Sequence, residues 1–587
     1  MKKIALCFLT AVTCLGVYAQ LHVQGNHFVF ANNVELFVQN EVNLKDEQST
    51  LYLRNGAQLL QDDNVGNRGM GELSIQQTGT VNQFAYNYWC SPIGASSMAA
   101  TNEPFRVDLI HESTGLISSN NVPFTTALDG TPSPGLTISS RWLYTFTTSN
   151  QYNDWIYVGS SLPIAPGLGF TMKGFGENAP IEQVYDFRGK PNNGDVQNDV
   201  LAGNFTLIGN PYPSALDAAL FVNDPANLNT ISGELYFWEQ EEGADSHFIA
   251  DYVGGYGILT YGPAPDYLEN FVNAPFFTYD GSGNVVTGSP PIPPTPVGFG
   301  IKIARRYQPI GQGFLVRGSN NGIVTVKNEH RAFVQEGADS FFFRSTEVET
   351  PEENSPFYQV PEDYKRFRIN IDFNDLYTRQ LLHNFHHTAT DGFDRGLEGH
   401  RPGGPASDAY WTLDDNKFVI QAHDYRESLR IPIEVNAENN QPLRFRIVDI
   451  QNFEDRQPIY LFDSKYDVYV NLKKQDYNIN IAAGTYSNRF EITFNRGTLS
   501  NDEFITSNFR VVQDNSNANL LLMNPTLLDL EHFSLIDISG KQVITKSQLG
   551  AQSEYNFDTA KLSDGVYIAS IKSTSGNSLS KKVIIKN

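Results

Sequence analysis

Cysteine is almost absent from this chain: 587 residues hold three, Cys7, Cys14 and Cys90. Charge is sparse, at 18% of residues. Basic charge is sparser still, with 42 Lys and Arg against 65 Asp and Glu, for a net −23. A nucleic-acid partner is thereby excluded, because phosphate binding needs clustered Lys and Arg. Beyond the extreme N-terminus no apolar run approaches the roughly 20 residues of a membrane-crossing helix. The Ala, Glu, Lys and Leu excess of a coiled coil is missing too. What the chain has is 39 Phe, 28 Tyr and 47 Gly. Many aromatics with little charge give enough apolar surface to offset ordering entropy, which excludes a disordered chain. At about 150 residues per domain the length suggests roughly four domains.

The start of the chain reads as a removable leader. Met1-Lys2-Lys3 is basic, Ile4 to Ala11 is apolar apart from Thr10, and Val17-Tyr18-Ala19 fits a cleavage site. A cut after Ala19 removes two lysines and takes the net charge from −23 to −25. A second reading cuts before Cys14 and lipidates it, but Thr13 is a poor residue for the preceding position. Either cut leaves Cys90 without an intrachain disulfide partner. Cys90 ends the apolar run Tyr88-Trp89-Cys90 before Ser91-Pro92. A small buried residue there is favoured over a nucleophile.

The body reads as all-β. Val34, Leu36 and Val38 alternate with Glu35 and Gln39, and similar alternation recurs in the segments Phe367 to Phe373 and Arg444 to Val448. Short apolar runs broken by Gly, Pro, Asn and Asp predict multidomain β-sandwiches with a short, solenoid-like N-terminal strand array. The expected organisation is a leader at 1–19, the strand array at 20–82, two β-modules at 83–200 and 201–335, a sandwich at 352–500 and a tail at 519–587. The acidic, Pro-bearing stretch at Glu352 and the run Asp514-Asn515-Ser516-Asn517 serve as breaks. The Pro-rich run Ser289 to Pro296 is expected as an exposed, extended loop.

The two modules rest on an internal repeat. Tyr86 to Pro92 resembles Phe205 to Pro211. Leu143-Tyr144-Thr145-Phe146 resembles Leu235-Tyr236-Phe237-Trp238. Gly167 to Gly174 resembles Gly311 to Gly318. Three signatures recur in the same order, at offsets of 119, 92 and 144 residues.

The C-terminus differs in character. Strands are expected at Phe533 to Ile538, Val566 to Ile571 and Leu579 to Lys586, with 7 Lys against 6 acids from Ala518 onward. Four elements stand out: Asn524-Pro525; the strand with Asp537 before Gly540-Lys541; Leu562-x-x-Gly565-Val566-Tyr567; and the closing Lys581-Lys582-Val583-Ile584-Ile585-Lys586. On these residues the tail resembles the type A C-terminal sorting domain of the type IX secretion system of the Bacteroidetes. That resemblance implies Sec export, then recognition by the type IX outer-membrane translocon, and a place outside the cell or on its outer surface. It also implies that Asn524, Pro525, Gly540, Lys541, Gly565, Tyr567, Lys581 and Lys582 carry the sorting signal. A domain with its own core is expected to hang on a mobile linker and add nothing to the fold of its cargo. The body, through stretches such as Tyr86 to Pro92, Gly209 to Ala215, Thr390 to Gly396 and Asp408 to Trp411, resembles adhesin-like surface proteins of flavobacteria.

Chemical sites are sparse. His383, His386 and His387 precede Asp391, Asp394 and His400, a mixture that could bind zinc. The spacing is not that of a helical His-Glu-x-x-His motif, and a solvated loop is the simpler reading. Asp391, Asp394 and Asp414-Asp415-Asn416 are oxygen-rich turns for which ordinary Asx turns are the favoured reading; Asp391 and Asp394 are the calcium candidates, and no other cofactor is expected. There is no Gly-x-Ser-x-Gly elbow, Walker loop or dinucleotide fingerprint. Trp142, Trp155, Trp238 and Trp411 could stack on sugars, although most aromatics must pack cores. The leading expectation is a non-enzymatic surface protein with a structural or adhesive role, touching other cells. Binding of surface glycans is the alternative, and a cryptic glycoside hydrolase comes third.

Overall fold

A computed structural model of the chain describes residues 19–80, 82–175, 182–288, 298–337, 340, 360–496, 509–525, 527–574 and 578–586. The leader, the Pro-rich run, the Glu352 break and the turn at 575–577 lie outside the described residues. The fold is multidomain β. Among the described residues there is one α-helix, Ala218–Asn223, capped by Asp217, whose carboxylate accepts from the Ala219 and Leu220 amides.

The N-terminal array is a short parallel solenoid. Leu21–Val23 pairs with Val42–Leu44, Phe28–Asn32 with Thr50–Arg54, and Glu35–Val38 with Gln58–Gln61, all parallel. A third rung starts with Glu72–Thr80 beside Thr50–Arg54. Phe28 meets Thr50 and Thr50 meets Glu72, so one rung takes 22 residues. Val23, Ala31, Val38, Leu51, Leu53, Leu59, Leu73 and Ile75 turn inward and are buried, whereas Val34, Phe28, Phe30 and Phe37 stay on the exposed side.

Ladders cross the seams expected at 82/83 and 200/201. Glu72–Thr80 pairs with Glu182–Pro191, and Val196–Val200 pairs with Gly322–Val326. Loop composition marks breaks along the chain. It carries no information about which distant strand will satisfy an edge, and edges seek partners wherever they are.

The three repeat signatures occupy matching registers. In the first set Asn87–Cys90 runs antiparallel to Gly169–Met172, with Cys90 opposite Gly169. In the second Phe205–Gly209 runs antiparallel to Gly313–Gly318, with Gly209 opposite Gly313. At the offsets given above, these are the same pairs. The middle signatures flank the same strands: Tyr236 lies opposite Leu315, and the Tyr144 amide donates to Thr171 Oγ1 at 3.1 Å. The two sets also bond to each other reciprocally. Trp89 bridges Gln312 while Ile208 bridges Leu168; the Cys90 amide donates to Gly311 O at 2.9 Å and the Gly209 amide to Gly167 O at 3.2 Å. Each contact is the image of the other under a local two-fold.

At that axis side chains have no room. A Cβ on Gly209 would lie 2.2 Å from Gln312 O and 2.5 Å from the Cβ of Cys90. Cys90 is Gly209's counterpart, so one side chain fills a seat that two cannot share. Cys90 is fully buried and burial pushes its thiol up, as expected of a packing residue rather than a nucleophile.

Residues 365–493 form a broad curved sheet from Lys365–Phe373 to Gly484–Thr493, mostly antiparallel, with one parallel pairing between Tyr377–Phe385 and Asn416–His423. Its core is continuous with Tyr88, Phe146, Leu207 and Tyr236 of the modules.

The tail is a small sandwich of a three-stranded and a four-stranded sheet around Leu520, Phe533, Leu535, Phe557 and Ile571. Two expectations about it are corrected. The polar run at Asp514 is not a break. Arg510–Asp514 and Asn519–Met523 are paired, and the Asp514 carboxylate accepts from the Ser516 and Asn517 amides, closing a tight turn inside the tail. Nor is the tail detached. Met523 is buried in the body's core, Pro525 O accepts from the Asn478 amide at 3.0 Å, and Arg510 lies 3.7 Å from Asp467.

Candidate functional site: an aromatic cavity on the local two-fold

A cavity of about 610 Å³ opens where both modules meet the broad sheet. Matched positions of the repeat line it from both sides. Tyr86, Tyr144, Phe146 and Thr171 of the first set stand where Phe205, Tyr236, Trp238 and Leu315 of the second stand, and all eight line the cavity. Strand alternation explains their direction. In Ile231–Gln240, Tyr236 and Trp238 face the cavity while Leu235 and Phe237 enter the second module's core. In Asn87–Cys90, Tyr88 faces the cavity and Trp89 the solenoid's core.

The remaining wall comes from Tyr256, Phe277 and Tyr279, and from Arg379 of the broad sheet. Trp238 meets Tyr256 edge on at 5.2 Å, and the rings of Trp238 and Tyr279, 5.9 Å apart, and of Trp155 and Phe146, 4.8 Å apart, are tilted. The glycines of Gly254-Gly255-Tyr256-Gly257 allow this closeness. A Cβ on Gly254 would come within 2.8 Å of the Trp238 ring, and one on Gly257 within 2.7 Å of Phe271. Gly283, at φ +80°, passes under Tyr152 where any Cβ would collide. Asn150, Gln151, Tyr152 and Asn153 are exposed lining residues and form a polar rim.

The chemistry inside is neutral and hydrogen-bonding. Burial pushes up the hydroxyls of Tyr88, Tyr236, Tyr256 and Tyr279, that of Tyr256 to about 12, so they remain phenols. Tyr88 and Tyr256 share a hydrogen bond of 2.8 Å. Tyr236 Oη and Trp238 Nε1 are buried with no hydrogen-bond partner among the described residues, although both side chains line the cavity. Arg379 is spent on Asp408, with contacts of 2.8 and 2.7 Å, and lies over Phe277 at 5.4 Å.

Behind the first-module wall sits Lys173. Its Nζ lies 4.1 Å from the Trp142 ring centre, 4.4 Å from Tyr86 and 4.9 Å from Tyr252, and donates to Tyr252 Oη at 2.8 Å. Burial pushes this ammonium down to about 7, with Asp129 acting in the opposite direction.

Three of the four tryptophans singled out in the sequence, Trp142, Trp155 and Trp238, converge on this cavity. Trp411 does not: it is fully buried in the broad sheet, its Nε1 donating to Leu382 O at 3.1 Å, and it has no face to offer a ligand. The calcium candidates also separate. Asp391 pairs with Arg426 at 2.7 Å, while Asp394 accepts from the Thr390 amide and hydroxyl. Their oxygens are committed to different local partners. Composition gave no hint of the tyrosines of the wall, but the repeat did: every signature of both sets contributes a lining side chain.

The sorting residues share one unit. Asn524 is buried and bonds Leu528 O and Gln552 O. Gly540, at φ +87°, closes a turn in which the Asp537 carboxylate accepts from the Ser539 and Lys541 amides. Tyr567 donates to Ser563 O just before Gly565, and Lys581 and Lys582 lie on the last strand opposite Ala569 and Ile568.

Residues 10–494 match the family described as Domain of unknown function (DUF8693). The chain belongs to the DUF8693 family. Residues 515–586 match the Secretion system C-terminal sorting domain. The DUF8693 body is therefore cargo of type IX secretion, addressed by its tail to the outer surface or the extracellular space. No helix among the described residues is long and apolar enough to cross a membrane. No curated protein matches the sequence. Two solved structures show some likeness. "Crystal structure of tetra-tandem repeat in extending region of large adhesion protein" is 13% identical over 39% of this chain and 68% of that one, with a TM-score of 0.11. "Biofilm associated protein - BSP domain" is 9% identical over 76% and 88%, with a TM-score of 0.14. At these TM-scores neither carries an argument about fold or function.

Proposed function

We propose that this secreted DUF8693 protein is a non-enzymatic adhesive protein that binds a carbohydrate in the aromatic cavity. One observation carries the reading: Trp142, Trp155 and Trp238 line a single cavity together with neutral tyrosines and an exposed amide rim. A sugar ring presents C–H groups on its faces and hydroxyls at its edge. Aromatic faces, with their partial negative charge, suit the first, and phenol, indole and amide groups suit the second. The amides of Asn150, Gln151 and Asn153 supply such groups at the exposed rim. Binding rather than cleavage is supported by the lining itself, which includes no Asp or Glu among the described residues, whereas glycoside hydrolysis uses two facing carboxylates.

A glycan array probed with the mature protein tests this. Selective binding is expected, and Trp238→Ala should weaken it about ten-fold or more by removing roughly 1.5 kcal/mol of ring contact. Uniform silence on the array, or binding that survives Trp155→Ala and Trp238→Ala unchanged, would overturn the assignment.

A further inference from the structure

We infer that Asp363, His386 and His387 form a binding site for a first-row divalent cation of the zinc class, independent of the aromatic cavity. The three offer ligand atoms that all lie within 4.8 Å of one another. Asp363 Oδ2 is 3.1 Å from His386 Nε2, close to the roughly 3.3 Å edge that bonds of about 2.0 Å make in a tetrahedral site.

The topology explains the meeting. Lys365–Phe373 and Tyr377–Phe385 form a hairpin in which Lys365 lies opposite Phe385. Asp363 precedes the first strand and His386-His387 follows the second, so all three gather at its open end. His383, two residues inside the strand, is separated from them: it is buried and lies 3.1 Å from His423. The carboxylate that completes the set is thus one remote in sequence, not the Asp391 or Asp394 that follow the histidines.

His386 is held ready for coordination. Its ring stacks on buried Tyr364 at 3.9 Å and 6°, and its Nδ1 is 2.7 Å from Thr388 Oγ1. A hydrogen-bond partner on one ring nitrogen fixes the orientation of the other, which here faces Asp363. The His386 side chain is 6% exposed, but that of Asp363 is 56% exposed, so an ion has a path in and solvent can fill the remaining positions. Two imidazoles with one carboxylate suit zinc, nickel or copper; calcium and magnesium prefer all-oxygen sets. His387, whose ring centre lies 4.0 Å from that of His386, is the discriminating residue. A simple His386–Asp363 ion pair has no use for it, whereas a metal site does.

The test is a Zn²⁺ titration of the chelator-treated mature protein by calorimetry, with Co²⁺ absorption as a second readout. One equivalent is expected to bind, with a visible Co²⁺ band. His387→Gln and Asp363→Asn should each weaken binding about ten-fold or more, while His22→Gln, at an exposed position in the solenoid, should not change it. Ca²⁺ should give no binding heat. His387 is exposed, so its variant keeps the fold and the result is readable even if Asp363→Asn is unstable. Absence of stoichiometric binding, or binding unaltered in His387→Gln, would overturn the site.

Discussion

The two walls of the cavity share a scaffold and differ in chemistry. On the first-module side stand Tyr86, Tyr88 and Thr171, with Lys173 behind; their counterparts on the second are Phe205, Leu207, Leu315 and Arg317. At these positions one wall carries the hydroxyls of Tyr86, Tyr88 and Thr171 and the other carries Phe205, Leu207 and Leu315, while both are backed by a basic residue and Tyr236 and Trp238 bring polar atoms to the second. Backbone register is the same in these two strand pairs, so the divergence at these positions lies in side chains. On the proposed reading, this difference in hydroxyls would orient a guest with unlike faces. A symmetric pair of walls would accept it either way round.

The comparison can be broken most severely at the axis. Gly209→Val places a side chain against Gln312 O and Cys90, and it should cost upward of about 4 kcal/mol in chemical denaturation, because the obstacle is backbone. The buried amine behind the first wall can be read by pH. Lys173 titrates near 7 in the folded protein against an ordinary 10.5. Between those values the unfolded chain holds a proton that the folded one lacks, so stability should rise with pH from about 7 to 10 by roughly 1.4 kcal/mol per unit. Lys173→Met should abolish that slope. The buried phenols, whose folded values lie above their ordinary 10, take stability away only at higher pH.

Making the walls alike is a milder change. Tyr88→Leu installs the second-module residue, strands the hydroxyl of Tyr256 and empties space beside Trp155; about 2 kcal/mol should be lost in thermal unfolding, with weaker glycan binding. The reverse exchange, Leu315→Thr, should cost about 1.5 kcal/mol, since it removes two buried carbons and sets a hydroxyl at the edge of the cavity. If both exchanges left glycan selectivity as it was, the polarity of the walls would have no part in recognition.

The sequence by itself determined the β class, the solenoid-like start, the repeat and the identity of the tail. Each of these is local: period-two alternation at Val34, Leu36 and Val38, turn chemistry at Asp537 to Lys541, and short signatures that recur in order. Three tryptophans of the cavity could be named from residue type, but nothing in their spacing separated them from Trp411, which differs only in facing inward across a sheet. Tertiary structure decided the rest. It set the two copies of the repeat across a two-fold with their aromatic faces toward one space. It seated the tail on Asn478 and Asp467. It carried Asp363 to His386 and His387 while holding Asp391 and Asp394 to partners of their own. The reason is the same in each case. Side-chain direction along a strand is fixed by the strand's own period, but which strands become neighbours is settled by pairing and burial between segments that may lie a hundred residues apart.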